Sequence, residues 1–361
     1  MKNRLERLRN KLTEQRLDAF FVSSPENRRY LSGFSGSAGF LIVSKDAAVL
    51  ATDFRYVEQA GQQAPDFHIH RISGGMRWLP ELLVQLGVKR VGFESGDLTV
   101  GAHEAIINIL MEDTTTKEVS MISTSQFIDP LRMIKEPEEL ALITRAMEIS
   151  DHAFQVVTPL IEIGDTERSV AWKMEVAMRE GGAEALAFET IVASGPNAAK
   201  PHHHPSDRQI GSGEPIVIDF GARYEGYNSD MTRTICLGEP DETFRIVYDT
   251  VLAAQLTASA TVLPTMTSGE ADGIAREIIE QAGYGEQFGH SLGHGIGLAV
   301  HEYPRVGPRS DDPLADGTVF TIEPGIYIPG WGGVRIEDTV IMEDGKVRSL
   351  TTSHKNENPK I

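Results

Sequence analysis

Cysteine is almost absent: Cys236 is the only one in 361 residues, so no disulfide can form within the chain. That fits a reducing compartment, where thiols stay unpaired. Basic residues are in deficit, with 34 Lys and Arg against 52 Asp and Glu and a formal net charge of −18. Duplex binding needs a basic footprint, so no nucleic-acid partner is expected. No apolar run reaches the about 20 residues that cross a bilayer, so no membrane partner is expected either. The opening residues, MKNRLERLRN, alternate charge with Leu and lack the apolar stretch of a secretory signal. These absences point to a cytoplasmic protein. Its length is sufficient for two domains with sizeable cores.

Patterning divides the chain near residue 130. Residues 1–16 predict an amphipathic helix, with Leu5, Leu8 and Leu12 at three- and four-residue spacing. Short strands and helices then alternate. DAFFVS is a strand, GFLIVS and AAVLAT form a hairpin about Lys45-Asp46, and KRVGFE is a further strand. RWLPELLVQLG is a helix stopped by Gly87, and Asp53 is placed to cap the helix that follows it. This is the pattern of a small α/β domain over residues 1–130. From DPLRMIKEPEEL onward the character changes. Pro137 suits a first helical position, acids follow in the first turn, and Pro159 ends the helix. A second helix follows Asp165 and stops at Gly181-Gly182; two more are predicted over 241–262 and 270–282. The C-terminal stretch is rich in strands. Helices set against antiparallel strands predict an α+β domain over residues 131–361.

Four acids and one histidine of that domain sit in apolar, strand-like contexts. They are Asp219 in IVIDFGA, Asp230 in YNSDMTRTI, His294 in LGHGIG, Glu323 in VFTIEPGIY and Glu337 in VRIEDTVIM. Buried acids require cationic partners. Asp219 and Asp230 flank GARYEGYNS, whose Gly221 and Gly226 suit a turn, and Glu323 and Glu337 flank PGIYIPGWGG. Two such hairpins facing each other make a pocket of four carboxylates, to which His294 adds a nitrogen. A pair of divalent cations satisfies that set. Oxygen-rich donors with one imidazole favour Mn²⁺, Co²⁺, Fe²⁺ or Zn²⁺ over thiolate-selected metals.

These motifs (IDFGA, SDMTRT, HSLGHGIG, HEYP, EPGIY and VRIEDT) resemble, in order, those of the pita-bread-fold metallopeptidases. The branch they resemble is that of the Xaa-Pro aminopeptidases and Xaa-Pro dipeptidases (prolidases). SGPNAAKPHHHPSD is similar to that branch's SGPN…PH…P segment, and NRRYLSGFSGSAG with TDFRY resembles the family's creatinase-like N-terminal domain. The resemblance implies helices packed on a curved, mostly antiparallel sheet, preceded by a smaller α/β domain. It implies Asp219 on one metal, His294 and Glu323 on the other, and Asp230 and Glu337 bridging both. His202 falls where the family has its PH histidine, near the substrate amine. His301 matches a histidine that steadies the tetrahedral intermediate, and His290 one that lines the proline pocket. Arg335 resembles a residue behind the ligands that approaches the far side of the substrate, and Tyr327 a tyrosine near the metals. A homodimer is implied as well.

The activity expected is release of the N-terminal residue from peptides with proline at the second position. A hydroxide shared by two ions, with Mn²⁺ the first choice, would attack the carbonyl. Glu323 would carry the proton to the leaving amine, and His301 would donate to the developing oxyanion. The aminopeptidase is the main reading; the dipeptidase shares every motif and is the alternative. Methionine aminopeptidase usually lacks a domain like residues 1–130, and a silent binding relative is expected to have lost ligands. GHSLG, residues 289–293, matches G-x-S-x-G, with Asp338 and His354 following in serine-hydrolase order. That elbow needs a helix after the serine, which Gly293, Gly295 and Gly297 disfavour. His202-His203-His204 lie on one extended segment and point alternately, so one functional histidine is expected there, not a chelate. His301-Glu302 opens like H-E-x-x-H, but Arg305 holds the second histidine's place. GFSGSAG has no Walker lysine, and GHGIG has Leu298 where a dinucleotide fingerprint needs glycine.

Overall fold

The structure, a computed structural model, describes residues 2–356 and 358. The chain forms two compact units, Met1–Arg132 and Met133–Ile361. The first contains α1 (Lys2–Glu14), β1 (Ala19–Val22), α2 (Pro25–Ser32), β2 (Phe40–Ser44), β3 (Ala48–Asp53), α3 (Val57–Gln63), β4 (His68–Ile72), α4 (Leu79–Gln85), β5 (Arg90–Glu94), α5 (Val100–Glu112) and β6 (Ser120–Thr124). Its sheet has the order β4-β3-β2-β1-β5-β6. The β1–β2 and β2–β3 pairs are antiparallel and the others parallel. Leu5, Leu8 and Leu12 of α1 are buried, as their spacing predicts. Asp53 does not cap α3. It accepts hydrogen bonds from the backbone N–H and guanidinium of Arg55, which pin a turn ahead of the helix. The α2 helix went unpredicted, although Ser24 caps it, Pro25 opens it and Gly33 closes it at φ 79°.

After α6 (Asp129–Met133), the second unit runs through the order helix, helix, strands twice. The first pass is α7 (Pro137–Val157), α8 (Glu167–Glu180), β7 (Ala185–Leu186), β8 (Ile191–Ser194), β9 (Pro215–Phe220), β10 (Ala222–Tyr224), β11 (Tyr227–Asn228) and β12 (Met231–Cys236). The second is α9 (Glu242–Thr261), α10 (Ser268–Gln281), β13 (Gly293–Gly295), β14 (Glu302–Val306), β15 (Val319–Ile322), β16 (Gly325–Ile328), β17 (Gly332–Arg335), β18 (Asp338–Glu343) and β19 (Lys346–Ser349). Two core clusters hold the unit together, each centred on one pass and joined by residues of the other, such as Val319 and Ile341 in the first and Cys236 in the second. Phe154 and Met174 of α7 and α8 pack with Ile216, Ile218 and Ile235. Val251 and Ala275 of α9 and α10 belong with Phe320 and Val340. The strands form antiparallel sheets of order β12-β9-β8 and β14-β13-β15-β18-β19, with smaller β11-β10-β7 and β16-β17 groups. The unit is α+β, in keeping with the pattern of its sequence.

The positions of the acids need one correction. Asp219 lies in β9 and His294 in β13, but Asp230, Glu323 and Glu337 fall just outside strands, next to β12, β15 and β18. The pairing still brings them together. Asp219 stands opposite Thr232, and Ile322 opposite Asp338, so the acids gather at strand ends where the ladder no longer fills the space. The GARYEGYNS connection is itself a hairpin, with Tyr224 opposite Tyr227 and positive φ at Glu225 and Gly226, the geometry of a tight two-residue turn. Gly221 serves differently: a Cβ there would collide with the Ser229 carbonyl. Among the described residues no helix is long and apolar enough to cross a membrane.

Candidate active site

All ten residues singled out in the sequence line one cavity of about 600 Å³: His202, Asp219, Asp230, His290, His294, His301, Glu323, Tyr327, Arg335 and Glu337. His294 shows its chemistry most directly. Its Nδ1 lies 3.0 Å from the Gly295 carbonyl, which can only accept, so Nδ1 carries the proton. The lone pair on Nε2 then faces carboxylates, 3.3 Å from Glu323 Oε1 and 3.5 Å from Asp230 Oδ2. Burial, reinforced by neighbouring His301, holds its pKa down to about 3, so the ring is neutral. Asp230, His294 and Glu337 each offer a ligand atom, all within 4.8 Å of one another. Asp219 is paired with a cation, its Oδ2 2.6 Å from Arg335 Nη2.

Four carboxylates thus share the guanidinium of Arg335. Burial first, then the neighbouring carboxylates, push Asp230 and Glu337 well above the usual carboxylate range. Burial pushes Glu323 up to about 8, Arg335 opposing and Asp219 adding to the rise. Asp219 Oδ1 and Glu337 Oε1 are buried with no hydrogen-bond partner. Such oxygens are costly unless a cation meets them. A neutral imidazole nitrogen among carboxylate oxygens is the donor set of a divalent transition metal, and the residues fit one.

Threonines hold the carboxylates from behind, and the sequence reading missed them. Thr232 Oγ1 donates to Glu337 Oε2 at 2.6 Å and accepts from Arg335 Nε at 3.1 Å. Thr321 Oγ1 donates to Glu323 Oε1 at 3.1 Å and accepts from the His294 N–H at 3.1 Å. Thr232 is two residues after Asp230, and Thr321 two before Glu323. The two-residue period of an extended chain puts each pair on one face, the signal that would have found them.

Arg335 also opens a directional chain. Its Nη1 donates to Tyr327 Oη at 2.8 Å, and Tyr327 Oη lies 2.9 Å from His290 Nε2. His290 Nδ1 is 2.8 Å from the Ser291 carbonyl and therefore carries the ring proton, so the tyrosine donates to Nε2. Burial holds His290 at about 4 and Tyr327 at about 12, which keeps both neutral. His301 stands edge-on to His294, ring centres 4.2 Å apart, and is exposed to the cavity. The three consecutive histidines all line the cavity but differ in partner, and they follow a turn at Pro201-His202, not one extended segment: His203 Nε2 reaches Glu167 at 2.9 Å and His204 Nδ1 reaches Glu189 at 3.2 Å.

Arg305, seen in the sequence only as the residue that spoils H-E-x-x-H, also lines the cavity. It stands directly opposite His294 in the β13–β14 pair. Its Nε donates to Ser291 Oγ at 3.1 Å, and no carboxylate pairs with the guanidinium among the described residues. Ser291 leads into β13 and not into a helix, so no nucleophile elbow forms. Asp338, the acid of that decoy triad, pairs with Arg233 and Lys355 instead.

Residues 141–344 match the model of metallopeptidase family M24, and residues 4–134 that of the creatinase/prolidase N-terminal domain. The chain is 41% identical to a Pyrococcus furiosus protein named Xaa-Pro dipeptidase, over 98% of this chain and 99% of that protein. It superposes on the structure of a Bacillus anthracis Xaa-Pro dipeptidase with a TM-score of 0.94, at 40% identity and 99% coverage of both chains. A Thermotoga maritima X-Pro aminopeptidase superposes with a TM-score of 0.86, at 38% identity, covering 98% of this chain and 99% of that one.

Proposed function

Since the chain belongs to metallopeptidase family M24, we propose that it is an Xaa-Pro dipeptidase, hydrolysing two-residue peptides whose second residue is proline. Arg305 carries the choice over the aminopeptidase. A guanidinium without an acidic partner, in a cavity whose other charges are mostly acids, suits a ligand carboxylate. Directly opposed residues in an antiparallel pair have Cβ atoms about 4.5–5.5 Å apart. Arg305 therefore stands within a dipeptide's length of His294, where the C-terminal carboxylate of Xaa-Pro would lie. A longer peptide has an amide at that point. The P. furiosus and B. anthracis proteins, both named dipeptidases, support the same choice. The full-length similarity to the T. maritima protein keeps the aminopeptidase as the second reading.

Asp219, Asp230, His294, Glu323 and Glu337 would hold two divalent ions, with Mn²⁺ the preferred assignment for so oxygen-rich a set. Bound there, such ions supply positive charge to the carboxylates and acidify water. The side chains do the rest. Glu323 takes a proton from the attacking water at Oε2, since Oε1 is engaged by Thr321, and returns it to the proline nitrogen as the C–N bond breaks. His301 donates a hydrogen bond to the carbonyl oxygen as that oxygen gains charge. His202 approaches the peptide group. His290 and Tyr327, both neutral, form the wall against which the proline ring rests.

Steady-state hydrolysis of Ala-Pro, Ala-Pro-amide and Ala-Pro-Ala, with Mn²⁺ and with a chelator, tests this reading. A charged hydrogen bond contributes about 1.5–3 kcal/mol, so Ala-Pro is expected to exceed the amide in kcat/KM by about tenfold or more. Arg305→Ala should remove that advantage. Ala-Pro-Ala cleaved as well as Ala-Pro would return the assignment to the aminopeptidase, and chelator-resistant cleavage would reject the metal.

A further inference from the structure

Glu167, at the start of α8, is a fully buried carboxylate that does not line the cavity. Its oxygens gather donors from two distant stretches of chain. Oε1 accepts from the N–H and hydroxyl of Ser194, both at 2.8 Å, and from Asn197 Nδ2 at 3.0 Å. Oε2 accepts from Ser206 N at 3.1 Å, Ser206 Oγ at 2.6 Å and His203 Nε2 at 2.9 Å. Burial alone would raise its pKa, but the bonds from Ser206, Ser194, Asn197 and His203 outweigh it and hold the group at about 2. The loop between these donors carries His202. His203 is 10% exposed in its side chain and turned onto Glu167, whereas His204 is 81% exposed. Pro201 and His202 form the middle of a turn that the His203 N–H closes onto the Lys200 carbonyl at 3.1 Å. The ring of His203, held on Glu167, fixes the end of that turn and with it the position of His202, which lines the cavity together with His203 and His204.

We propose that Glu167 and His203 are positioning residues that set His202 in the cavity. This rests on the reading above that His202 approaches the peptide. The run of three histidines is then a device: one ring works in the cleft, and the next anchors the loop to a buried carboxylate. Glu167 does not line the cavity, and His203, whose ring lies on Glu167, acts through His202. A misplaced catalytic group can cost about a hundredfold, and loss of one charge-assisted anchor is expected to cost about tenfold in kcat/KM.

The test is a double-mutant cycle between His203→Ala and His202→Ala on the Mn²⁺-loaded enzyme, with Ala-Pro as substrate. His203→Ala is expected to lower kcat/KM about tenfold alone and less than about twofold once His202 is already Ala. His203→Gln keeps a donor for Glu167 and should recover most of the loss; Glu167→Gln, if folded, should match His203→Ala. Histidine side-chain NMR of the chelator-treated protein gives a readout without turnover. There His203→Ala should shift or broaden the His202 ring signals and leave those of His103 in place. A cycle in which the two losses multiply independently, or unmoved His202 signals, overturns the proposal. A wild-type protein that cleaves no Xaa-Pro peptide fails the functional reading alone, and the NMR result then decides the positioning claim by itself.

Discussion

Replacement of Arg233 by lysine should uncouple a buried scaffold from the carboxylate cage in a measurable way. All five donors of this guanidinium are engaged, and its side chain is 1% exposed. Nε donates to the His354 carbonyl, and Nη1 to those of Thr232 and Glu337. Nη2 donates to Asp338 Oδ1 and the Ser353 carbonyl, both at 2.8 Å. Lysine preserves the charge but offers three donors from one point, so at least two buried acceptors lose their partner. Each such loss costs about 1–3 kcal/mol, giving about 2–6 kcal/mol in all. For a folding unit of this size that is a fall in melting temperature of roughly 4–24 °C. The Glu337 carbonyl is among the five acceptors, so the Glu337 side chain should also lose its placement. Mn²⁺ affinity is then expected to fall about 10–100-fold, as for residues that support metal ligands elsewhere. Circular dichroism melts and Mn²⁺ titration of the same variant read both effects. A variant melting within about 1 °C of wild type and binding Mn²⁺ equally well would refute the reasoning.

Three further outcomes are expected. Glu323→Gln should lose nearly all turnover while melting cooperatively, because an amide cannot carry the proton; activity within a few-fold of wild type would exclude that role. Glu167, held at about 2 against 4.5 for an ordinary glutamate, contributes stability that is present above pH 4.5 and lost as the pH falls towards 2. The shift corresponds to about 3 kcal/mol. Urea denaturation of chelator-treated protein across that window should lose the corresponding slope in Glu167→Gln, and an unchanged slope would contradict the assignment. Gly293→Ala should destabilise the second unit by about 1–3 kcal/mol or more, since its Cβ would collide with the Thr321 carbonyl one residue from His294. Equal denaturation midpoints would show that β13 has room to shift.

Much of the local structure was legible because its signals are short-range. The leucine spacing of α1, Pro137 at the start of α7 and the glycines after α8 act within a turn or two of themselves. The misses have local causes too. The Ser24-Pro25 start of α2 was passed over, and Asp53 bonds to Arg55 two residues on before any helix begins. In the site, the sequence picked out residues that line one cavity, since an acid in an apolar run is conspicuous wherever it occurs. Thr232, Thr321, Arg233 and Glu167 were not conspicuous, because a threonine in a strand or an acid in a first helical turn needs no special explanation.

The sequence by itself determined the two-part organisation of the pattern, the helices of the second unit and the kind of donor atoms available to a cation. Tertiary structure alone decided which atoms meet. It put Arg305 opposite His294, turned His203 onto a carboxylate 36 residues away, and placed Arg233 against Glu337, 104 residues distant. Propensity and capping act between neighbours along the chain. A hydrogen bond between distant residues depends on strand register and on the absence of water, and those exist only once both cores have closed.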